Sequence, residues 1–157
     1  MKSDGTGLTN LAAIMGYTGN EQYGYGIAWT PDGSRIVFSA KTGPDEVQLG
    51  MVHPDGSGAF LIPNSASGSV NDVVVSPSGT QIAWRSPRTE VINIDGTGRR
   101  QLSPFSYSKL AWSRDGTQVY GTIAEGPGGL PLAVYAYNVD GSGTNRVMSG
   151  AYPSIRP

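Results

Sequence analysis

A fourteen-residue pattern that occurs three times constrains the fold of this chain more than any other feature. The copies lie at residues 27–40, 73–86 and 110–123. Each copy is an apolar run, a short polar turn and a second apolar run, which is typical of a β-hairpin whose strands are both largely buried. The sequence therefore predicts an all-β protein built from repeats.

The turn residues explain why each copy forms a hairpin. In the first copy the turn is Pro31-Asp32-Gly33. Proline sets the first corner of a type I turn, aspartate suits the second, and glycine takes the left-handed position that follows. Glycine is kept at the equivalent positions, Gly79 and Gly116, although its neighbours change. We therefore predict a left-handed glycine and a short bulged connection in every copy.

A second motif, Asp-Gly-[Ser/Thr]-Gly, occurs four times. The copies begin at Asp4, Asp55, Asp95 and Asp140. An Asp-Gly pair between two strand-like runs is a strong hairpin signal. The two motifs alternate, so that each period of roughly 40 to 50 residues holds two hairpins and hence four strands. This arrangement is typical of the blades of a β-propeller.

The order of the motifs resembles the repeat of TolB-type β-propellers, the PD-type relatives of the WD repeat. A W-x-P-D-G turn, a strand, a variable loop, a strand, D-G-[ST]-G and a last strand follow one another through almost the whole chain. The resemblance implies blades of four antiparallel strands. We expect three full blades at about 23–62, 70–102 and 110–148, and terminal strands at 8–13 and 151–157.

One position of the repeat departs from the pattern. Val75 stands where the other two copies have Trp29 and Trp112. We expect both tryptophans to be buried at equivalent places in their blades, with Val75 filling the third.

Composition excludes several classes of function. Eleven basic and twelve acidic residues give a net charge of −1, which does not indicate a nucleic-acid partner. Without a signal-peptide pattern or a long apolar run, we expect a soluble chain with no membrane insertion. Zero cysteines and a single histidine, His53, cannot form a typical zinc site, and the chain lacks a G-x-S-x-G elbow. We therefore predict no enzyme activity, no metal and no cofactor.

Three blades do not close a ring, because propellers typically have four to eight. Either the chain is part of a larger propeller, or identical chains complete the ring. Two chains of three blades match the six-bladed form of the family that the repeat resembles. We expect a closed homodimer first and a head-to-tail filament second. The apolar residues available for assembly are Leu8, Leu11 and Ile14 at one end, with Tyr152 and Ile155 at the other.

Binding residues are expected where the repeats differ. In a four-stranded blade both stereotyped turns lie on one face, and the variable loops lie on the other, where binding residues concentrate. We predict binding of a protein or saccharide there by Tyr17, Tyr23, Tyr25, Arg88, Glu90 and Tyr107. Packing between blades would also explain the tyrosines, and solvation would explain the charges. Further charges that could line a central channel are Glu21, Lys41, Asp45, Glu46 and Glu125.

The resemblance leaves a further function open. Similar repeats occur beside serine peptidase domains, so the chain could be the substrate-gating propeller of a larger hydrolase. The resemblance alone favours a periplasmic or extracellular location.

Overall fold

The computed structural model describes residue 6, residues 26–104, 109–126, residue 128 and residues 131–150. These ranges hold twelve β-strands in three four-stranded antiparallel sheets, and in each sheet the strands follow one another in chain order. We call the sheets blade one, blade two and blade three. Blade one contains β1 (Ile27–Trp29), β2 (Ile36–Gly43), β3 (Glu46–Val52) and β4 (Phe60–Leu61); blade two β5 (Asp72–Val75), β6 (Gln81–Arg85), β7 (Thr89–Asn93) and β8 (Arg100–Ser103); blade three β9 (Ala111–Trp112), β10 (Gln118–Ala124), β11 (Leu132–Asn138) and β12 (Thr144–Ser149).

The predicted all-β fold of four-stranded antiparallel blades is confirmed. The terminal strands expected at 8–13 and 151–157 lie outside the described residues.

The first turn of each blade has the predicted glycine geometry. The amide of Gly33 donates to the Thr30 carbonyl at 2.9 Å, and Gly116 donates to Ser113 at 3.0 Å. The glycine φ angles are 68° at Gly33, 73° at Gly79 and 72° at Gly116. The left-handed glycine predicted for all three copies is therefore confirmed.

The Asp-Gly motifs form the second turn of each blade. Gly56, Gly96 and Gly141 have φ angles of 88°, 87° and 81°. In each turn the aspartate accepts a hydrogen bond from the amide two residues later, as Asp55 does from Ser57 at 2.8 Å. These aspartates thus act as turn residues, because their side chains satisfy backbone groups within the loop.

The hydrophobic core lies between the blades. One cluster joins blade one to blade two and includes Val37, Leu49 and the fully buried Trp84. A second cluster joins blade two to blade three and includes Val91 and Trp112. Each blade is therefore stabilised mainly by burying apolar surface against its neighbour.

The predicted burial of Trp29 is wrong. Trp112 is 7 % exposed, and its indole Nε1 donates to the carbonyl of Val74 in blade two at 3.1 Å. Trp29 is 56 % exposed. It shares a face with Ile27, whereas Ala28, between them, packs toward blade two. Among the described residues no blade covers the face that carries Trp29.

Candidate functional site

The two faces of the blades differ as the repeat pattern predicts. On the turn face lie the Pro31-Asp32-Gly33 type of turn and the Asp-Gly motifs. On the opposite face, which we call the variable face, lie the β2–β3, β6–β7 and β10–β11 loops and the connections between blades. The loops on the variable face share no common sequence.

Two of the predicted binding residues are described, and both belong to blade two. Arg88 lies exposed in the β6–β7 turn, and Glu90 is buried in β7. The carboxylate of Glu90 contacts Arg99 and Ser86. The remaining predicted residues lie outside the described ranges: Tyr17, Tyr23, Tyr25 and Tyr107 for binding, and Leu8, Leu11, Ile14, Tyr152 and Ile155 for assembly.

Glu90 organises a clamp between blades one and two. Its carboxylate accepts a hydrogen bond from Arg99 Nε at 2.8 Å. Arg99 Nη1 donates to the carbonyls of Asn64 and Ala66, at 2.8 and 2.7 Å, in the connection that leaves blade one. The guanidinium carbon also lies 5.3 Å from the Trp84 ring centroid. Glu90 thus orients an arginine that joins two blades, a contact that the sequence pattern does not reveal.

A second charged cluster lies on blade three. Arg146 binds both carboxylate oxygens of Glu125, at 2.6 and 3.0 Å, and the Tyr135 hydroxyl donates to Glu125 at 2.7 Å. The hydrogen bond from Arg146, and then that from Tyr135, lower the pKa of Glu125 to about 2. Glu125 is therefore ionised at neutral pH and is held by Arg146 and Tyr135.

Asp72 joins the inner strands of blades two and three. Its carboxylate accepts the backbone amide of Leu110 at 2.7 Å and contacts Lys109 Nζ at 3.2 Å. The Lys109 side chain is 68 % exposed, so the ammonium group reaches solvent. The hydrogen bond from the Leu110 amide contributes more to stability than the ion pair with Lys109, because exposed ion pairs contribute little.

A row of polar side chains crosses blade two next to the variable face. Asp72 pairs with Arg85, Arg85 with Thr89, and Thr89 with Ser103 in the strand register. Two buried polar atoms along this row have no hydrogen-bond partner: Arg85 Nε and Thr89 Oγ1. Buried polar groups are normally paired, so this row is the most unusual polar feature of the variable face.

In the described ranges, no three His, Asp or Glu side chains are grouped as metal ligands. Nor do these ranges contain a helix long and apolar enough to cross a membrane.

No protein-family model matches the sequence, and no curated protein is similar to it. Solved structures are similar in fold. A structure of a nidogen/laminin complex matches 80 % of this chain at 17 % identity, with a TM-score of 0.62 over 48 % of that chain. TolB from Acinetobacter baumannii matches 78 % at 14 % identity, with a TM-score of 0.62 over 31 % of its length.

Oligogalacturonate lyase from Vibrio parahaemolyticus matches 87 % of this chain at 12 % identity, with a TM-score of 0.62 over 40 % of its own length. Such low identities establish the β-propeller fold alone. The likeness predicted from the repeat thus holds for TolB and other β-propellers at the level of fold. The chain spans less than half the length of each of these structures.

Proposed function

We propose that this chain is a non-catalytic TolB-type propeller module that acts by assembly and binding. Further blades, supplied first by a second copy of the chain, complete its open end. The variable face of the assembled propeller then binds a protein ligand. The observation that carries this proposal is one repeat position that is exposed in blade one and buried in the other two blades.

Ile27 occupies this position, and Trp29, two residues later on the same strand, is also exposed. Ile27 and Trp29 are 67 % and 56 % exposed in blade one. The residue equivalent to Ile27 is Val73 in blade two, 3 % exposed, and Leu110 in blade three, 5 % exposed. In blades two and three the preceding blade covers these positions. The exposed pair therefore has the composition of a blade-to-blade interface that lacks its neighbour.

The opposite end of the arc offers a complementary surface. Every residue of β12 is exposed, and Met148 is 58 % exposed. Met148 pairs with Val134 and Val134 with Thr122, on the face of blade three that points away from blade two. A joint between this face and Ile27 and Trp29 of another copy is head-to-tail, and it closes into a ring if the rotation permits. That the chain spans less than half of a similar propeller supports completion by further blades.

Native mass spectrometry and light scattering of the full chain test this proposal. We expect a dimer, and we expect Trp29→Lys to shift the chain to a monomer because it places a charge in the joint. Gln101→Lys is the matched control, since Gln101 is an exposed strand residue away from both ends. A wild-type chain that stays monomeric at all concentrations, or a Trp29→Lys variant that still dimerises, contradicts the proposal.

A further inference from the structure

The polar row of blade two has no counterpart in the other blades. It consists of Asp72, Arg85, Thr89 and Ser103. The strand register places Gly26, Ser39, Leu49 and Ile62 at the equivalent positions of blade one, and Lys109, Thr122, Val134 and Met148 at those of blade three. The third and fourth positions of the row are thus apolar in blades one and three. Only blade two has hydroxyl groups there, those of Thr89 and Ser103.

The row faces the seam between blades two and three. Side chains two residues apart on a strand share a face, so Arg85 lies on the side of Ala83, and Thr89 on the side of Val91. Ala83 and Val91 belong to the core cluster that also contains Leu110 of blade three. Arg85 and Thr89 are direct cross-strand partners. The Cβ atoms of such pairs are about 5 Å apart.

Two hydrogen-bond donors in this seam lack partners. Thr89 is fully buried with Oγ1 unpaired, and Arg85 Nε is buried and unpaired. Buried polar groups are normally paired, so both donors are available to a ligand. Across the seam, Tyr137 is 1 % exposed. Burial is the main cause that raises the pKa of Tyr137, while a hydrogen bond with Ser103 lowers it.

Neighbouring carboxylates do not neutralise Arg85. The carboxylate of Asp72, its cross-strand partner, contacts Lys109 and the Leu110 amide. That of Glu90 is held by Arg99. Among the described residues, no carboxylate therefore forms an ion pair with the Arg85 guanidinium.

The other blades show that the fold does not require this arginine. The equivalent residues, Ser39 and Thr122, are small, and each also has a buried hydroxyl oxygen without a partner. A hydroxyl at this position is thus compatible with a blade seam. Blade two places a guanidinium there and adds Thr89 where the other blades have Leu49 and Val134. This combination is a specialisation of one seam rather than a feature of the repeat.

We propose that the seam between blades two and three binds a carboxylate, the acidic side chain of a protein partner, through Arg85 and Thr89. Arg85 can only donate hydrogen bonds, and its planar fork matches a carboxylate. The Thr89 hydroxyl supplies a second donor, and the Tyr137 hydroxyl lies further along the seam. Arg88, exposed in the β6–β7 turn between Arg85 and Thr89, adds positive charge. This inference rests on the proposed role of the variable face in binding a protein.

The test is an NMR titration of the arginine Nε–H signals of the full chain. The probe is an acetylated triaspartate peptide, and an acetylated triasparagine peptide is the neutral control. We expect the Arg85 Nε–H signal to shift saturably with triaspartate alone. Arg85→Ser, which copies blade one and should therefore fold, is expected to weaken binding by about tenfold or more, as for loss of a charge-assisted hydrogen bond.

Three matched variants sharpen the experiment. Arg88→Ser removes a neighbouring exposed arginine and should weaken binding by less than about threefold, because exposed charges act weakly. Arg85→Lys keeps the charge but loses the fork, so it should bind less well than wild type. Thr89→Val keeps the shape and removes the hydroxyl, and should also weaken binding. Thermal melts of each variant check that the chain is folded.

Equal shifts with both peptides would mean that the seam does not select a carboxylate, and no shift with triaspartate would mean that no carboxylate binds there. Either result would overturn the inference. The binding site lies within one chain, so a monomeric Trp29→Lys variant should still bind triaspartate. Failure of assembly and failure of carboxylate binding are therefore separate results.

Discussion

Trp29 and Trp112 occupy the same repeat position and have opposite environments. Trp112 is buried against blade two and donates a hydrogen bond to Val74, whereas Trp29 is more than half exposed. Their local sequences are alike, A-W-T-P-D-G and A-W-S-R-D-G. The difference therefore comes from the neighbouring blade, which covers Trp112 and leaves Trp29 open in the described part of the chain.

The comparison shows which information a repeat carries. The side chain at this position is suited to a blade seam whether or not the seam is present. In the described part of the chain this side chain is exposed at Trp29, where no preceding blade lies against it. Tryptophan contributes much of the energy in protein interfaces, which is why Trp29 is the residue substituted to test the proposed joint.

The largest expected difference in stability comes from truncating each tryptophan in a separate variant. Trp112→Ala should lower the free energy of unfolding by about 3–5 kcal/mol, as for large buried aromatic side chains. Trp29→Ala should change it by no more than about 0.5 kcal/mol in a dilute monomer, as for a surface substitution. Urea unfolding of both variants measures the difference. Equal losses in the monomer would mean that a single chain already buries Trp29.

The turn glycines offer the reverse comparison, because their geometry is the same in every blade. Gly33 in blade one and Gly116 in blade three have φ angles of 68° and 72°. A valine at either position should cost about 1–3 kcal/mol, since positive φ strains a β-branched residue. Gly68→Val is the control, because Gly68 has no positive φ and a Cβ there meets nothing within 4 Å. A neutral Gly33→Val would show that this turn adapts more readily in blade one than in blade three.

These two comparisons explain how much the sequence could predict. The turns were predictable because the geometry of Gly79 depends on its own neighbours in the chain. The four-stranded blades followed from the alternation of two turn motifs. The exposure of Trp29 was not predictable, because it depends on which surface covers the blade.

The polar contacts of the seams were also beyond the sequence. Arg99 was not a predicted residue, and its role depends on Glu90, nine residues away, and on carbonyls of the blade one connection. Arg85 gained significance from the strand register, which places it beside Thr89 and aligns Thr89 with Leu49 of blade one. The turn motifs alone do not give this pairing, and only the register shows that all four positions of the row are polar in blade two alone.

Different polar contacts hold the two seams, and those between blades two and three give a third test. Asp72→Ala leaves the Leu110 amide without its acceptor between blades two and three, and should cost about 2 kcal/mol, the typical effect of an unpaired buried donor. Lys109→Ala removes the exposed partner of the same carboxylate and should cost less than about 1 kcal/mol. The comparison of melting temperatures measures both. A Lys109→Ala loss as large as that of Asp72→Ala would mean that the ion pair, and not the amide bond, holds this seam.

The smallest expected effect is a pH dependence of stability that comes from the first turns of blades one and three and not from that of blade two. Hydrogen bonds lower the pKa of Asp32 to about 2, that from the Thr30 hydroxyl being the largest cause, and the pKa of Asp115 to about 2, mainly through Ser113. The equivalent residue of blade two is Ser78, which has no carboxylate. A folded pKa below the ordinary value of 3.8 stabilises the native state above that value. This contribution is lost as the pH falls from about 4 to about 2.

Asp32→Ser combined with Asp115→Ser, which copies blade two, should therefore flatten the loss of stability between pH 4 and pH 2. Urea midpoints measured across this range would show the change, and Ser78→Asp should steepen the same loss. Both aspartates are exposed, so the effect is modest. Because hydrogen bonds rather than distant charges lower these pKa values, added salt should alter the slope little. A slope that disappears in high salt would assign the acid sensitivity to long-range charge instead of to the turns.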